Sequence, residues 1–427
     1  PYVFGNEVDA TKEGLGLHFY AVMQTVREAG KIPFETFANR ISGHTVTFLL
    51  SFIGYTWLVY KHRIMLLALP MLGLGFLAYV GGLRFTIYAV PIMAFGVAFL
   101  FTESLKYITD KKSVHIGSLV ILTIVILIPN IKHIQSYKVP TVFKKEEVQV
   151  LDRLKNIASR EDYVVTWWDY GYPIRYYSDV KTLVDGGKHS GSVNFPISYV
   201  LTNPQKTAAK MARFDVEYTE KAFEVAAKNK DLNESKKVKL FSNIEEMTKD
   251  YGFDNTSDFL LSLETEIKLP KKTRDVYLYL PYRMLDIYPT VKVFSNINLM
   301  NGQKYKRPFF YITRNFKNQK GIVYLGNNIS INLKDTTLQL GSKKQAIRRF
   351  VSTEYNKKQK LIVQERLINF SSNISVIYMK SYNTFLVVDE DTYNSTYIQM
   401  MVLEKYNKKL FEKVMLTPHV KVYKLKN

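Results

Sequence analysis

The 427-residue sequence contains no cysteine, which excludes disulfide bonds, thiolate metal sites and cysteine nucleophiles. Acidic residues are scarce as well, since 38 Asp and Glu accompany 59 Lys and Arg and leave a formal net charge of +21. A balance this basic favours an anionic partner, either a nucleic acid, a lipid or a phosphate-bearing substrate. Because zinc-binding spacings, RNA-binding signatures and helix-turn-helix patterns are also missing, we expect lipid or phosphate and no nucleic acid.

Long apolar runs are missing from the second part of the sequence. After about residue 132 the chain is polar and rich in Lys and Tyr, so its mean hydropathy of -0.11 averages two unlike parts. The first part holds four apolar stretches, at residues 45–60, 64–82, 85–102 and 116–131. Each is near the ~20 residues with which a helix crosses a bilayer. We therefore predict four transmembrane helices followed by a water-soluble region; helices buried in a large soluble core are the alternative.

The loops between the apolar stretches indicate how they cross the membrane. Basic residues cluster in the first loop, at residues 61–63, and in the third, at residues 106–112. Basic loops stay on the cytoplasmic side. The segment before residue 44 and everything after residue 131 should therefore lie together on the opposite side. The sequence also lacks an initiating Met and a basic signal-peptide region, so we expect it to begin within a longer protein.

Apolar periodicity and turn residues divide the chain into segments. The predicted segments are an external loop (1–43), four transmembrane helices (44–132), a mixed α/β soluble domain (133–290), an all-β insert (291–376) and a C-terminal return to the α/β domain (377–427). Within them we expect an amphipathic helix at 15–26, a strand at 163–167 and a helix at 396–405.

The densest group of chemically useful residues is WWDYG at residues 167–171, which holds two of the three tryptophans. An indole N–H is only a donor, and an ionised carboxylate is only an acceptor. Trp167, Trp168 and Asp169 together can therefore bond a hydroxyl group both as donor and as acceptor. A site built on such bonds rejects the analogue that lacks the hydroxyl. On these residues alone, a strand end that packs two aromatic rings on a core is the stronger alternative.

The neighbouring sequence adds a specific resemblance. WWDYG, with YYSD at residues 176–179 and DGGKH at residues 185–189, resembles the catalytic-subunit family of oligosaccharyltransferases, in its bacterial single-subunit Campylobacter-type branch. The resemblance runs over essentially the whole chain, as the C-terminal portion of such a protein, and implies that the membrane helices belong to a larger GT-C-type bundle. It also implies asparagine-linked glycosylation, in which an oligosaccharide passes from a polyprenyl (undecaprenyl) pyrophosphate to Asn in an acidic-x-Asn-x-Ser/Thr sequon. The anomeric carbon would be inverted.

The resemblance assigns acceptor-binding residues. Trp167, Trp168 and Asp169 would bind the Ser/Thr hydroxyl two residues after the acceptor Asn. MLDI at residues 284–287 matches the family's M-x-x-I motif, in which Ile287 would contact the Thr methyl group. Arg40 would pair with the acidic residue two positions before the Asn, because an Arg–carboxylate pair is directional. Taken alone, Ile287 fits an ordinary helix face and Arg40 an interfacial anchor.

Donor-binding and metal-binding residues are implied in the same way. TVRE at residues 25–28 resembles the family's T-I-x-E motif, with Val in place of Ile, and its Glu28 would bind Mg²⁺ or Mn²⁺ and the acceptor amide. Arg84 would bind the lipid pyrophosphate, and Tyr2, Tyr172 and His189 would line the pyrophosphate or first-sugar region. Taken alone, Glu28 fits a solvated helix face, Arg84 an interfacial anchor, and the other three ordinary packing.

Two further expectations concern a motif that is missing and one that is present. The family's upstream D-x-D metal ligands are missing here, and the similar run at residues 389–391 falls in the wrong domain, so we predict a solvated turn there. We therefore expect this chain alone to be inactive. Asn233, in an acidic-x-Asn-x-Ser run at residues 231–235, is either itself a glycosylation acceptor or part of a surface loop.

Together these features predict a monomeric protein of a bacterial inner membrane with its soluble domain in the periplasm. Its partners would be the acceptor polypeptide, the lipid-linked oligosaccharide and the bilayer. One alternative is a non-catalytic, membrane-anchored protein that binds peptides or glycans. Another is a different polyprenyl-phosphate glycosyltransferase, but a hydroxyl-reading motif argues against it because sugar and lipid acceptors contain no sequon.

Overall fold

The computed structural model describes residues 8–11, 14–22, 32–136, 141, 143–228 and 243–426 of the chain. The chain divides into two units. The first unit comprises Pro1–Glu7 and Ala21–Val142, and the second comprises Val8–Tyr20 and Phe143–Asn427. Tyr2, Glu28 and Asn233 lie outside the described residues, so the predictions made for them stay predictions.

The described part of the first unit is helical. Its helices are α1 (Phe34–Ser42), α2 (Thr45–Lys61), α3 (Leu69–Phe76), α4 (Ala78–Gly81), α5 (Thr86–Lys106) and α6 (Lys112–Ser136), with 3-10 turns at Arg63–Ala68 and Leu83–Phe85. The core of this unit is aromatic at one end, where Phe37 packs edge-on against Phe48 with ring centroids 5.4 Å apart and lies 4.6 Å from the Tyr79 ring.

Two helical segments of the first unit are long and apolar enough to cross a membrane, Leu83–Lys106 and Lys112–Ser136. Helix α2 has 17 residues, and the stretch predicted at 64–82 is divided between a 3-10 turn, α3 and α4. The prediction of four spans therefore stays a prediction. Helix α6 buries none of its residues, which would expose a large apolar surface to water and is better suited to lipid.

The second unit is built on a mixed five-stranded sheet in the order β16-β17-β5-β3-β4. These strands are β3 (Tyr163–Val165), β4 (Lys181–Thr182), β5 (Val276–Pro281), β16 (Phe411–Leu416) and β17 (Val420–Leu425). Strand β3 is parallel to both β4 and β5, whereas β17 is antiparallel to β5 and β16. Every residue of β3 and β5 is buried, as expected for parallel strands that are covered on both faces.

Helices pack around this sheet in the second unit. They are α7 (Lys145–Lys155), α8 (Gly171–Ser178), α9 (Gly191–Thr202), α10 (Gln205–Lys228), α11 (Asn243–Asp250), α12 (Thr256–Ser262), α13 (Tyr288–Ser295) and α14 (Glu390–Tyr393). Short 3-10 turns occupy Trp168–Tyr170, Tyr282–Ile287 and Lys380–Tyr382. The helix predicted at 396–405 is present over residues 396–402, the last five of which form a π turn at Ile398–Val402, and is wrong at residues 403–405.

A small hairpin at the start of the chain also belongs to the second unit. Strand β1 (Val8–Ala10) pairs antiparallel with β2 (His18–Tyr20). The helix predicted at 15–26 is therefore wrong at residues 18–20, and residues 23–26 lie outside the described part. Tertiary contacts override the helical spacing here, because the Phe19 ring packs against Phe195 and the His18 N–H donates to the Leu299 carbonyl.

A β module lies between α13 and α14. One sheet has the order β11-β10-β9-β8-β7 and the other β13-β12-β14-β15-β6. The strands are β6 (Phe310–Thr313), β7 (Lys317–Gln319), β8 (Ile322–Gly326), β9 (Ile329–Asn332), β10 (Thr337–Leu340), β11 (Lys343–Ala346), β12 (Arg349–Tyr355), β13 (Leu361–Leu367), β14 (Ile374–Met379) and β15 (Thr384–Asp389). The two sheets share one apolar core, to which Ile331 and Leu338 contribute from the first and Val376 and Val387 from the second.

The predicted limits of the insert, 291 and 376, differ from those of these strands. Residues up to Ser295 form α13, and β15 pairs with both β14 and β6. The solvated turn predicted at 389–391 also differs, because Asp389 is only 9% exposed. Its carboxylate accepts from the backbone N–H of Thr392 and of Phe309, and Glu390 pairs with Arg349. These acids hold the end of the β module in place.

Candidate functional site

Three sequence motifs follow three neighbouring parallel strands. Strand β3 leads into WWDYG, β4 into DGGKH at residues 185–189, and β5 into MLDI at residues 284–287. Neighbouring strands lie ~4.8 Å apart, and the carboxyl ends of parallel strands share one edge of a sheet, which is where open α/β sheets bind ligands. The topology therefore brings Trp168, His189 and Ile287 to one edge.

Trp167 is the buried aromatic residue of this edge. Its side chain is 1% exposed and packs on the Phe294 ring of α13, with centroids 5.2 Å apart. Desolvation raises the pKa of the neighbouring Asp169 carboxyl, and the Trp167 side chain opposes this rise. The predicted bond from the Trp167 indole to a substrate hydroxyl stays a prediction.

Trp168 presents to this edge a buried polar group that lacks a partner among the described residues. Its ring stacks on His189 with centroids 4.7 Å apart and planes 23° from parallel. The Nε1 atom is buried, and within the described residues it has no hydrogen-bond partner. His189 Nδ1 is likewise buried and has no partner among these residues. A buried donor without an acceptor costs about 1–3 kcal/mol. An oxygen atom supplied by a ligand would satisfy this donor.

Asp169 supplies the acceptor beside that donor. The residue is exposed overall, yet the surrounding protein desolvates its carboxyl enough to raise the pKa above the usual value. A hydrogen bond from its own backbone N–H, the nearby His189 and the Trp167 side chain oppose this rise. Asp169 thus faces both protein and solvent, as a group that meets an incoming hydroxyl should.

A tight turn positions His189 over Trp168. The Asp185 and Lys188 backbones exchange two hydrogen bonds of 3.0 Å. The Asp185 carboxylate accepts from the N–H groups of Gly187 and Lys188, at 2.8 and 2.9 Å, and from Arg175 at 2.8 Å. The sequence alone assigns no role to Asp185 or Arg175, although an Asp followed by two Gly is a turn signal.

The glycine of WWDYG lets two of the motifs meet. A Cβ atom at Gly171 would lie 2.4 Å from the Val184 carbonyl oxygen and 2.5 Å from the Asp185 Cβ. Tyr172, next in sequence, lies against the same turn, because a Cβ atom at Gly187 would lie 2.5 Å from its hydroxyl oxygen. WWDYG and DGGKH are therefore one packed structure.

The M-x-x-I segment contributes buried and half-buried residues to this edge. Met284 and Leu285 are fully buried, whereas Ile287 is half-buried at the end of the 3-10 turn. Asp286 pairs with Arg314 at 2.8 Å, which fixes the turn from outside. The position of Ile287 at this edge is consistent with the predicted contact to a Thr methyl group, which stays a prediction.

The N-terminal hairpin reaches the same region. The Tyr20 ring packs edge-on against Phe294, with centroids 5.4 Å apart, and Phe294 in turn contacts Trp167. The Tyr20 carbonyl also lies so close to Gly191, at the start of α9, that a Cβ atom there would meet it at 2.3 Å. The hairpin is thus part of the scaffold of the WWDYG edge.

Arg40 and Arg84 belong to the first unit. Arg40 is half-buried in the last turn of α1, and Arg84 is exposed in the 3-10 turn that precedes α5. Both make interactions with other residues of the chain. Their predicted roles toward the acceptor and the pyrophosphate stay predictions.

A site for Mg²⁺ or Mn²⁺ is not formed by the residues that the structure describes. Among them, no group of three or more His, Cys, Asp and Glu side chains converges as metal ligands would. Glu28, the predicted ligand, lies outside them. The described residues therefore do not fit a metal centre on their own.

Three family models together match most of the chain. Residues 160–301 match the model described as the STT3/PglB/AglB core domain, which includes all three motifs of the sheet edge. Residues 309–388 match the STT3/PglB C-terminal beta-barrel domain, and residues 12–135 match Oligosaccharyl transferase STT3, N-terminal.

Relatives with known names agree with these matches. Two proteins of Campylobacter jejuni, from strain RM1221 and from serotype O:2, are each 43% identical to this chain over 438 residues. The crystal structure of the C. jejuni PglB C-terminal domain is 39% identical, with a TM-score of 0.57, and the match covers 66% of this chain and 99% of that one. The chain belongs to the STT3/PglB family. The resemblance inferred from WWDYG is therefore confirmed.

Different parts of the chain match different domains of the STT3/PglB family. The WWDYG edge falls in the core domain, whereas Arg40 and Arg84 fall in the N-terminal match. Both C. jejuni relatives are named undecaprenyl-diphosphooligosaccharide–protein glycotransferase. The chain is matched over its full length but spans only 59% of the length of each of them.

Proposed function

We propose that the protein is an oligosaccharyltransferase. It transfers an oligosaccharide from undecaprenyl pyrophosphate to the side-chain nitrogen of Asn in an acidic-x-Asn-x-Ser/Thr sequon, with inversion at the anomeric carbon. The 43% identity to two proteins named for this kind of transfer supports the proposal.

One observation carries the acceptor-reading part of the proposal, namely the buried Trp168 Nε1–H that lacks an acceptor among the described residues. A Ser or Thr hydroxyl accepts this hydrogen bond and donates its own proton to the Asp169 carboxylate. A peptide without the hydroxyl leaves the Trp168 N–H without a hydrogen-bond acceptor and the Asp169 carboxylate without a hydrogen-bond donor. Such a peptide is therefore rejected. Ile287, at the same sheet edge, adds apolar contact for the Thr methyl group.

The remaining roles belong to the same proposal. Arg84, Tyr2, Tyr172 and His189 bind the pyrophosphate and first sugar, and Arg40 pairs with the acidic residue of the sequon. Glu28 contributes to a Mg²⁺ or Mn²⁺ site and to binding the acceptor amide, as carboxylates suit both ions.

The cellular setting is also proposed. The four apolar stretches of the first unit span a bacterial inner membrane, and the second unit stands in the periplasm. The protein acts as a monomer. Two helical segments already have the length and composition of membrane spans.

The test is glycan transfer by the full-length protein to an Asp-x-Asn-x-Thr peptide, with and without a chelator. We expect the chelator to abolish transfer, Glu28→Ala to lower kcat, and Asp169→Ala mainly to raise the acceptor KM. Loss of a hydrogen bond to a charged group is worth ~1.5–3 kcal/mol, or roughly 10- to 150-fold in KM. Asp258→Ala, which removes an exposed carboxylate from α12, is the matched control.

Two outcomes would contradict the proposal in different ways. If Asp169→Ala reduced kcat while Glu28→Ala raised KM, the division of roles would be wrong. If the wild type bound the peptide or the donor but transferred no glycan with either metal, the non-catalytic binding alternative would replace the enzyme.

A further inference from the structure

An open cleft of about 610 Å³ lies beside helix α8 in the second unit. Its volume falls in the range of ligand-binding sites, roughly 300–1,000 Å³. The cleft contains the rings of Tyr163, Tyr172, Tyr176 and Phe223. Of these, Tyr172 also belongs to the proposed site for the pyrophosphate and first sugar.

Three of these rings are exposed although they are large and apolar. Tyr176 is 80% exposed, Tyr172 is 54% exposed and Phe223 is 45% exposed. Single exposed aromatic residues are ordinary, but several that line one concave surface mark a binding site. Flat aromatic faces suit a ligand that has an apolar face of its own.

Three of the four basic residues that line the cleft form ion pairs, and the fourth, Lys188, places its Nζ 5.7 Å from the centroid of the Phe223 ring. Arg160 lies 3.6 Å from Asp179 and Arg175 lies 2.8 Å from Asp185. Lys181 bridges Glu161 at 2.7 Å and, outside the lining, Glu220 at 3.0 Å. An anionic ligand would have to displace these carboxylates. A neutral ligand with many hydroxyl groups can instead donate to the carboxylates and accept from the guanidinium and ammonium groups.

The cleft is continuous with the WWDYG edge through direct contacts. Tyr172 lies against the turn formed by Gly186 and Gly187, and His189, which follows that turn, stacks on Trp168 at 4.7 Å. A ligand that begins at Tyr172 and extends along α8 would therefore enter the cleft.

We propose that this cleft binds the sugars of the transferred oligosaccharide that lie beyond the first one. Pyranose rings present apolar C–H faces to Tyr176 and Phe223, while their hydroxyl groups bond to the ion pairs that line the wall. This inference rests on the proposed function for the identity of the glycan donor.

The test compares two donors on the full-length protein: the lipid-linked oligosaccharide extracted from the source organism, and the same lipid trimmed enzymatically to its first sugar. We expect Tyr176→Ala and Phe223→Ala to raise KM for the long donor by roughly threefold to tenfold, the range expected for one aromatic contact. KM for the trimmed donor and for the acceptor peptide should stay unchanged. Tyr305→Ala and Phe370→Ala remove rings that are 52% and 74% exposed elsewhere in the second unit and serve as controls.

A second measurement does not depend on transfer. Saturation-transfer NMR with the oligosaccharide released from the lipid should show binding to the wild type, and this signal should fall in Tyr176→Ala but not in Tyr305→Ala. Equal effects on both donors, a rise in the peptide KM instead, or undiminished glycan binding in the variants would each overturn the inference. If the wild type transferred no glycan from either donor, the proposed function would be refuted. The NMR measurement would still show whether the cleft binds the oligosaccharide.

Discussion

Replacing Trp168 by Phe isolates the hydrogen bond on which the proposed reading of the acceptor peptide depends. The phenyl ring keeps an aromatic face against His189, which stacks on Trp168 at 4.7 Å. The change removes the Nε1–H donor, which is buried and lacks a partner among the described residues. Trp168→Phe therefore separates the chemistry of the N–H group from the packing of the ring.

Trp168→Phe should weaken binding of the acceptor peptide without destabilising the free protein. In the complex, a neutral hydrogen bond contributes ~0.5–1.5 kcal/mol, so its loss should raise the acceptor KM roughly twofold to 13-fold. In the free protein the same donor is desolvated without compensation, so Trp168→Phe should leave the free energy of unfolding unchanged or raise it by up to ~1 kcal/mol.

The assay measures transfer to two peptides that carry Thr or Val two residues after the Asn, because Val has nearly the shape of Thr but no hydroxyl. The preference of the wild type for Thr should fall in Trp168→Phe by the same factor as KM rises. Trp57→Phe, the same substitution on α2, is the control. An unchanged preference for Thr, or a loss of stability of 2 kcal/mol or more, would refute the reasoning.

Two further predictions concern the scaffold. Burial raises the pKa of Asp215 to about 6, against its hydrogen bond from Asn243. Protonation of Asp215 therefore stabilises the folded state. This stabilisation is complete below the unfolded pKa of ~3.9 and is lost as the pH rises through the folded pKa of about 6. Asp215→Asn cannot ionise, so between pH 4 and pH 7.5 its stability relative to the wild type should improve by roughly 2 kcal/mol; parallel pH curves of the thermal-unfolding midpoint would exclude this. Gly171→Ala places a Cβ atom 2.4 Å from the Val184 carbonyl oxygen, and overpacking of this kind costs ~1–3 kcal/mol. We expect a lower unfolding midpoint and a higher peptide KM, whereas Gly117→Ala, where the Cβ meets nothing within 4 Å, should change neither; a wild-type peptide KM in Gly171→Ala would show that the two motifs need not touch.

The sequence was sufficient to locate the local elements of the site. The apolar run before WWDYG predicts strand β3, because a strand pattern is decided within a few residues. The motif itself suggests the proposed hydroxyl-reading chemistry through the donor and acceptor inventory of Trp and Asp.

The assembly of the site could not be predicted in this way. Strand β3 pairs with β5, whose residues are more than 100 positions away, so the shared edge depends on contacts that periodicity does not encode. The same reason explains the strand at His18–Tyr20, where contacts to Phe195 and Leu299 override a helical pattern. The role of Asp185 likewise appears only when the fold brings Arg175 within 2.8 Å of it.

The most direct test of the central claim follows the indole N–H signals of the protein by NMR. The chain contains three tryptophans, and Trp168→Phe assigns the one that matters. We predict that an Asp-x-Asn-x-Thr peptide shifts the Trp168 N–H signal downfield, as formation of a hydrogen bond requires, and that the Val peptide at equal occupancy does not. Equal shifts with the two peptides, or no shift with either at saturation, would contradict the claim that Trp168 reads the acceptor hydroxyl.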